Sequence, residues 1–74
     1  MKFKERLKDL RTDKDINQTE LGIILNMSQK KISRMETGQA EPSLQDIEQI
    51  CRFFNISADY ILGFTNDPKP LPKR

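Results

Sequence analysis

Apolar residues recur at helical spacing in two adjacent stretches of the chain, with a short break between them. Leu21 and Leu25 lie four residues apart, and Ile32 and Met35 lie three apart, so each pair lies on one face of a helix. The break is Asn26-Met27-Ser28, in which asparagine tolerates the left-handed conformation that ends a helix and serine can cap the next one. The pattern therefore predicts a helix, a three- or four-residue turn, and a second helix.

Gly22 stands inside the first of these helices, where glycine costs about 1 kcal/mol relative to alanine. Glycine there needs a reason, such as a second helix that crosses close to it. A close crossing and a tight turn together are typical of a helix-turn-helix. The predicted exposed positions of the second helix are suited to phosphates and base edges, and they are Gln29, Lys30, Lys31, Ser33 and Arg34.

A first helix is predicted upstream of this pair. Phe3, Leu7 and Leu10 have the spacing of one helical face, and the polar face of this helix is mostly Lys and Arg. The helix that follows begins after Asn17, which is suited to the N-cap position, with Glu20 as its capping-box partner.

Two further helices are predicted downstream. Gly38 ends the third helix and Ser43 caps the fourth, whereas Ser57 caps a short fifth helix over 58–62. The predicted buried face of the fourth helix consists of Leu44, Ile47, Ile50, Cys51 and Phe54. The sequence thus predicts an all-α, compact five-helix bundle.

The chain changes character after residue 64. Pro68, Pro70 and Pro72 alternate with other residues in a Pro/Lys-rich segment, which favours an extended and poorly ordered chain. We expect residues 1–64 to form one domain and residues 65–74 to be a flexible tail or a linker to another domain.

Composition narrows the functional classes. A chain of 74 residues is one small domain, which makes a multi-step enzyme pocket improbable. It contains no His and a single Cys, which argues against zinc fingers, imidazole bases and an internal disulfide, and fits a reducing cytoplasm. Cys51 is predicted to be a core thiol. Apolar runs are too short for a membrane span or signal peptide. We expect no catalysis, cofactor or metal.

Charge is unevenly distributed, although the net charge is only +2. Residues 1–14 and 28–38 are richer in Lys and Arg, whereas residues 39–62 are richer in Asp and Glu. This indicates one basic and one acidic side of the domain. Ordinary solvated helix faces are the alternative explanation.

The segment INQTELGIILNMSQKKISRMETGQAEPSLQDIEQICRFFNISADYILG, with a weaker match in FKERLKDLR, resembles the lambda-repressor and Cro-like helix-turn-helix family, often called XRE-type. The resemblance covers roughly Phe3 to Phe64. It departs from the family at Asn26 and Asp15, where glycine is usual. The change at Asn26 is mild because asparagine tolerates left-handed geometry, whereas at Asp15 a different end of the first helix is expected. It implies a DNA-binding domain whose third helix enters the major groove.

The resemblance, together with the hydrogen-bonding capacity of the side chains, also implies roles for individual residues. Base contacts are expected from Gln29, Lys30, Ser33 and Arg34, with Gln29 suited to a bidentate contact with adenine. Phosphate contacts are expected from Asn17, Gln18, Ser28, Lys31, Thr37 and Gly38. Arg11 is expected to form a structural ion pair with Glu36 that fixes the first helix against the third.

Two functional hypotheses remain open at this point. The first is a sequence-specific regulator of transcription, a bacterial or phage repressor that binds an inverted-repeat operator as a homodimer. The second is an antitoxin-like or regulatory protein-interaction module. The second is supported by Ile23 and Ile24, where relatives usually have polar residues, with at least one expected to be exposed. Residues expected at a dimer or partner surface are Ile23, Ile24, Tyr60, Leu62 and Phe64, although helix-five packing within the monomer is the alternative for the last three.

Overall fold

Five helices make up the part of the chain that the structure, a computed structural model, describes, which is residues 2–67. They are α1 (Phe3–Asp13), α2 (Gln18–Leu25), α3 (Gln29–Thr37), α4 (Leu44–Phe54) and α5 (Ala58–Leu62). No strand occurs within those residues, and no helix among them is long and apolar enough to cross a membrane. The predicted all-α, five-helix bundle is confirmed. The proline-rich stretch from residue 68, predicted as a tail or linker, lies outside the described residues.

The four predicted N-caps are all present. Each cap side chain accepts a hydrogen bond from the backbone N–H three residues later, which satisfies a donor that the helix itself leaves unpaired. These caps are Asn17, Ser28, Ser43 and Ser57. Asn17 also forms the predicted capping box with Glu20. Short-range signals in the sequence therefore fix where α2 to α5 begin.

The helix ends follow the same logic. Asn26, Gly38 and Gly63 adopt the left-handed conformation at the ends of α2, α3 and α5, with φ of 56°, 83° and 89°. α1 ends at Asp13, and Asp15 then takes φ of 59° where the family usually has glycine. Aspartate tolerates this geometry because its short side chain can bond locally. The departure from glycine leaves the left-handed conformation in place.

The core collects apolar side chains from all five helices and from the segment between α4 and α5. It confirms the two predicted pairs on α2 and α3 and the predicted burial of the Cys51 thiol, whose pKa burial raises. The buried apolar residues are Phe3, Leu7, Leu21, Leu25, Ile32, Met35, Ile50, Cys51, Phe54, Ile56 and Ile61. The back of α3 is therefore anchored in the centre of the domain.

The predicted buried face of α4 is wrong at its first residue. Leu44 is 88% exposed, and Ile47 is only partly buried, whereas Ile50, Cys51 and Phe54 are buried. Leu44 directly follows the cap Ser43, in the first turn of α4, and in that turn the buried side chain is Asp46. Periodicity identifies a face of a helix, but it does not say how far along its length that face stays covered.

Gly22 is explained by the turn rather than by the crossing of a second helix. A β-carbon at this position would lie 2.5 Å from the carbonyl oxygen of Met27 and 3.5 Å from the backbone nitrogen of Gln29. The Met27 N–H also donates to the Gly22 carbonyl at 2.7 Å. The predicted close approach exists, and its nearest atom belongs to the backbone of the turn between α2 and α3.

We expect Gly22→Ala to lower the free energy of unfolding by about 2 kcal/mol, although alanine is the better helix former by about 1 kcal/mol. The methyl group would collide with a backbone oxygen that cannot move without opening the turn. Urea denaturation measures the effect. Ile23→Ala is the matched control, because Ile23 lies in the same helix and is 77% exposed, so its stability should change by about 0.5 kcal/mol or less. Equal stability of the two variants would contradict the steric argument.

Candidate nucleic-acid interface

The outward face of α3 consists of polar side chains that can donate hydrogen bonds. Gln29, Lys30 and Arg34 are exposed, and Lys31 and Ser33 are partly exposed. The inward face is buried and consists of Ile32, Met35 and Glu36. α3 therefore presents polar side chains from a backbone that the core holds in place.

The beginnings of α2 and α3 meet at this face. The Gln29 Nε2 donates to Gln18 Oε1 at 2.6 Å. Ser28 caps α3 by accepting from the Lys31 N–H at 3.0 Å, and Asn17 caps α2 by accepting from the Glu20 N–H at 2.8 Å. The structure thus brings Asn17 and Gln18 to the same surface as the N-terminal turn of α3. A helix N-terminus favours anions because it is the positive end of the helix dipole, and two of them lie at this surface.

An ion pair lies directly beneath this surface. Arg11 Nε donates to Glu36 Oε2 at 2.6 Å, and a second guanidinium nitrogen donates to Oε1 at 2.9 Å. The side chains are 11% and 2% exposed. The hydrogen bonds with Glu36 and its charge raise the pKa of Arg11 in spite of burial. Arg11 also donates to the Ile16 carbonyl at 3.0 Å, so one guanidinium joins α1, α3 and the segment before α2.

Gln18 connects the ion pair to the surface. Its Nε2 donates to Glu36 Oε1 at 3.2 Å, and its Oε1 accepts from Gln29. The four side chains form one continuous hydrogen-bond chain, which runs Arg11, Glu36, Gln18, Gln29. Sequence reasoning identified all four residues but not the contacts that Gln18 makes, because these join positions 18 residues apart on one side and 11 on the other.

Lys31 already has a protein partner. Its Nζ lies 3.0 Å from Asp46 Oδ1, and Asp46 Oδ2 accepts from the Ser43 N–H at 3.0 Å. Burial acts to raise the pKa of Asp46, but the hydrogen bonds from Ser43 and Lys31 outweigh it, so this pKa is lowered. Lys31 therefore ties α3 to the start of α4. The phosphate contact predicted for Lys31 remains a prediction, and it would use N–H groups of the ammonium that Asp46 leaves free.

Lys4, a basic residue that sequence reasoning missed, lies beside the end of α3. Thr37 Oγ1 donates to the Ser33 carbonyl at 3.0 Å, which uses the hydroxyl within the helix. At Gly38, a β-carbon would lie 3.2 Å from Cδ of Lys4. The exposed Lys4 side chain of α1 therefore lies beside the predicted phosphate-binding loop. The signal in the sequence was the basic polar face of α1, which did not indicate which lysine would lie here.

The residues predicted for a dimer or partner surface differ in exposure. Ile23 is 77% and Ile24 is 47% exposed, which confirms that at least one of them faces solvent, and Phe64 is 79% exposed. Tyr60 and Leu62 are partly buried and pack against the core. Among these three C-terminal residues, Phe64 offers the largest uncovered apolar surface.

Sequence reasoning did not identify Arg6, a residue of α1 whose side chain contacts α5 and the two residues Thr65 and Asn66. Its guanidinium lies 4.2 Å from the centre of the Tyr60 ring and donates to the Tyr60 and Thr65 carbonyls. It also donates to Asn66 Oδ1 at 2.7 Å. Thr65 and Asn66, which were expected to begin the flexible segment, are therefore hydrogen-bonded to α1.

Comparison with known proteins now identifies the family. A family model described as a helix-turn-helix domain matches residues 3–60. The chain belongs to this helix-turn-helix family. The resemblance to lambda-repressor-like domains that the sequence indicated is thereby confirmed.

Relatives of this helix-turn-helix domain include regulators of transcription and an antitoxin. The chain is 36% identical over 63 residues to the HTH-type transcriptional activator BcrR of Enterococcus faecalis, covering 85% of this chain and 31% of that protein. It is also 36% identical over 59 residues to the antitoxin PezA of Streptococcus pneumoniae, covering 80% of this chain and 37% of the antitoxin. The chain thus spans about a third of the length of these two relatives.

A solved structure shows the same helix-turn-helix architecture. The P22 c2 repressor, in complex with a synthetic operator, superposes with a TM-score of 0.77 at 26% identity, covering 82% of this chain and 92% of the repressor chain. The five-helix fold expected from the sequence is therefore shared with a repressor DNA-binding domain.

Proposed function

We propose that this helix-turn-helix domain binds double-stranded DNA in a sequence-specific manner and regulates transcription, as a repressor in a bacterium or phage. The observation that carries the proposal is the outward face of α3, where Gln29, Lys30 and Arg34 are exposed while the opposite face is buried. Similarity to a repressor bound to operator DNA supports it. Such a protein works in the cytoplasm, without catalysis, cofactor or metal.

α3 would act as the recognition helix. An α-helix fits the major groove of B-DNA, where base pairs present distinguishable donors and acceptors. Gln29 would contact an adenine and Lys30 the acceptors of a guanine, with Ser33 and Arg34 further along the helix. The DNA backbone would be held by Asn17, Gln18, Ser28, Lys31, Thr37 and Gly38. Lys4 would join this set, and its position beside Gly38 supports that role.

Selection of bound duplexes from a random library tests the proposal. A sequence-specific domain recovers a shared site, and two copies reading it symmetrically recover an approximate inverted repeat. Recovery of duplexes without any common sequence would refute sequence-specific binding.

We expect Gln29→Ala to weaken binding to the selected site by about 1–3 kcal/mol and to relax the choice of base at one position, with little effect on random DNA. Fluorescence anisotropy with both duplexes measures the two affinities. Lys4→Ala is the matched contrast, because a lost phosphate contact should weaken all duplexes alike and reduce the salt dependence by about one unit. Equal losses on both duplexes for Gln29→Ala would show that Gln29 does not read a base.

A protein-interaction module is the second candidate function. The exposed Ile23 and Ile24 on α2 favour it, and so does the similarity to an antitoxin. The double variant Ile23→Ser, Ile24→Ser should then lose partner binding. It should still select the same DNA sequence from the random library. If the double variant loses the DNA site as well, these isoleucines do not form a separate partner surface.

We also propose that the domain binds its operator as a homodimer. The DNA-binding unit would comprise residues 1–64, with Thr65 and Asn66 hydrogen-bonded to Arg6 of α1 at its end. The surface between the two copies would include Phe64, which follows α5, is 79% exposed and donates its backbone N–H to the Asp59 carbonyl at 2.8 Å. Phe64→Ser should therefore reduce binding to a two-fold site more than binding to half of it.

A further inference from the structure

We propose that Asp46, a buried residue of α4, holds the ammonium group of Lys31 ready for one phosphate of the operator, and thereby increases the preference of the domain for its operator over other DNA. Asp46 is a positioning residue, since it acts on the DNA only through Lys31. The inference rests on the proposed DNA-binding function, and it concerns how one phosphate contact comes to depend on the DNA sequence.

The Lys31 residue is held at both ends. Its backbone N–H donates to Ser28 Oγ at 3.0 Å, in the first turn of α3. At the tip of the side chain, Nζ lies 3.0 Å from Asp46 Oδ1. A long side chain that is free in solution loses conformational entropy when it binds a ligand. The ion pair orders Lys31 before DNA arrives.

Asp46 is a fixed partner because its carboxylate also belongs to the cap of α4. Its Oδ2 accepts from the Ser43 N–H at 3.0 Å, and its own N–H donates to Ser43 Oγ at 3.1 Å. The Asp46 side chain is only 7% exposed. Burial acts to raise the pKa of Asp46, but hydrogen bonds from Ser43 and Lys31 lower it, so the carboxylate is ionised at neutral pH. The flexible lysine therefore takes its position from the carboxylate.

The ammonium group of Lys31 can still bind a phosphate. It has three N–H donors, and the contact with Asp46 uses one of them. The Lys31 side chain is 43% exposed, so its remaining donors are open to a ligand. Lys31 can therefore bridge Asp46 and a phosphate, provided that the phosphate lies on the open side of the ammonium group.

The effect of Asp46 then differs between the operator and other DNA. On the operator, base contacts hold the duplex in one register, so the same phosphate meets an ammonium group whose ordering costs nothing further. On other DNA no register is fixed, and binding depends mainly on charge. There the carboxylate only offsets the charge of Lys31. Asp46 thus disfavours random DNA more than it disfavours the operator.

Asp46→Asn tests the inference, because it removes the charge and keeps an oxygen that can accept from the Ser43 N–H. The affinity for random DNA should rise, and its salt dependence should steepen by about one unit. The operator should gain less, since Lys31 must now be ordered on binding. The ratio of operator affinity to random-DNA affinity should therefore fall about fivefold.

Glu48→Gln is the matched control. It removes the same charge from α4 and releases a basic partner, Arg52, which belongs to α4 itself rather than to α3. Both affinities should change alike, so their ratio should stay the same. Fluorescence anisotropy over a range of salt concentrations measures the affinities, and thermal unfolding of each variant verifies that the fold is retained.

Lys31→Met is a second test, which leaves the buried carboxylate and the cap of α4 in place. It should weaken binding to the operator more than binding to random DNA, because only the operator uses the ordered contact. When Asp46→Asn is added to Lys31→Met, both affinities should rise alike and the ratio should not change again, since no lysine remains to be positioned.

The inference is supported if the ratio falls in both single variants and falls no further in the double variant. An unchanged ratio in folded Asp46→Asn or in Lys31→Met, an equal change in Glu48→Gln, or a further fall in the double variant overturns it. If Asp46→Asn does not fold, the ratio in Lys31→Met decides alone. In all these cases wild type still selects its operator, whereas wild type that binds all duplexes alike overturns the proposed function as well.

Discussion

Replacing Arg11 by alanine should lower the free energy of unfolding by about 3 kcal/mol or more. The substitution leaves Glu36 without its charged partner at a site where the side chain is 2% exposed, and it removes the donor to the Ile16 carbonyl. For a domain of this size, whose total stability is roughly 4–11 kcal/mol, that is a large fraction. Urea denaturation followed by circular dichroism measures it.

Arg52→Ala is the matched control for this prediction. Arg52 pairs with Glu48 at 3.5 Å, but both side chains are mostly exposed, and such pairs contribute about 0.5 kcal/mol. Comparing the stabilities of the two variants therefore separates the effect of a buried ion pair from that of an exposed one. If Arg11→Ala were as stable as Arg52→Ala, the buried pair would not be what holds α1 against α3.

A double substitution extends the same argument. With methionine at both Arg11 and Glu36, no charge remains buried without a partner, so the double variant should be less destabilised than Arg11→Ala.

The helices were predictable from the sequence because their signals are local. A cap such as Ser28 or Ser43 acts on an N–H three residues away, and a left-handed Asn26 ends its helix within one turn. Gly22 was correctly recognised as a close approach, although the carbonyl that approaches belongs to the turn. Leu44 was misassigned because its exposure depends on where α4 meets the rest of the core.

The candidate site was predictable only in part, since its contacts join distant positions. The sequence and the family resemblance supplied the donors of α3, but the bond between Gln18 and Glu36 depends on how α2 packs against α3. Lys4 reaches Gly38 because α1 packs along α3. No pattern in a single stretch of the sequence contains that information.

The distribution of charged residues along the chain also does not show which of them are paired in the folded domain. The sequence divides into basic and acidic segments, yet the structure pairs Lys31 from a basic segment with Asp46 from an acidic one. Counting charges along the chain therefore overstates the number of lysines free to contact DNA. Gln29, Lys30 and Arg34 remain exposed.

One copy of this surface is too small to find a site in a genome. α3 has nine residues, about 14 Å of helix, and can reach only a few base pairs. Competing non-specific sites number roughly 10⁶ or more, so a useful regulator needs a longer site. Two copies related by a two-fold axis would double the length read without any change in the domain.

We therefore expect binding to depend on the spacing between two half-sites about 34 Å apart, one turn of B-DNA. Inserting about 5 base pairs between them turns the second half-site to the opposite side of the duplex, and should weaken binding about 100-fold or more, because one copy must then bind alone. The same insertion in the flanking sequence is the control and should have no effect. Sedimentation with the intact operator should show two protein chains per duplex. A single chain bound tightly to each operator, with affinity independent of the insertion, would refute the dimer, because nothing in a monomeric complex depends on the distance between half-sites.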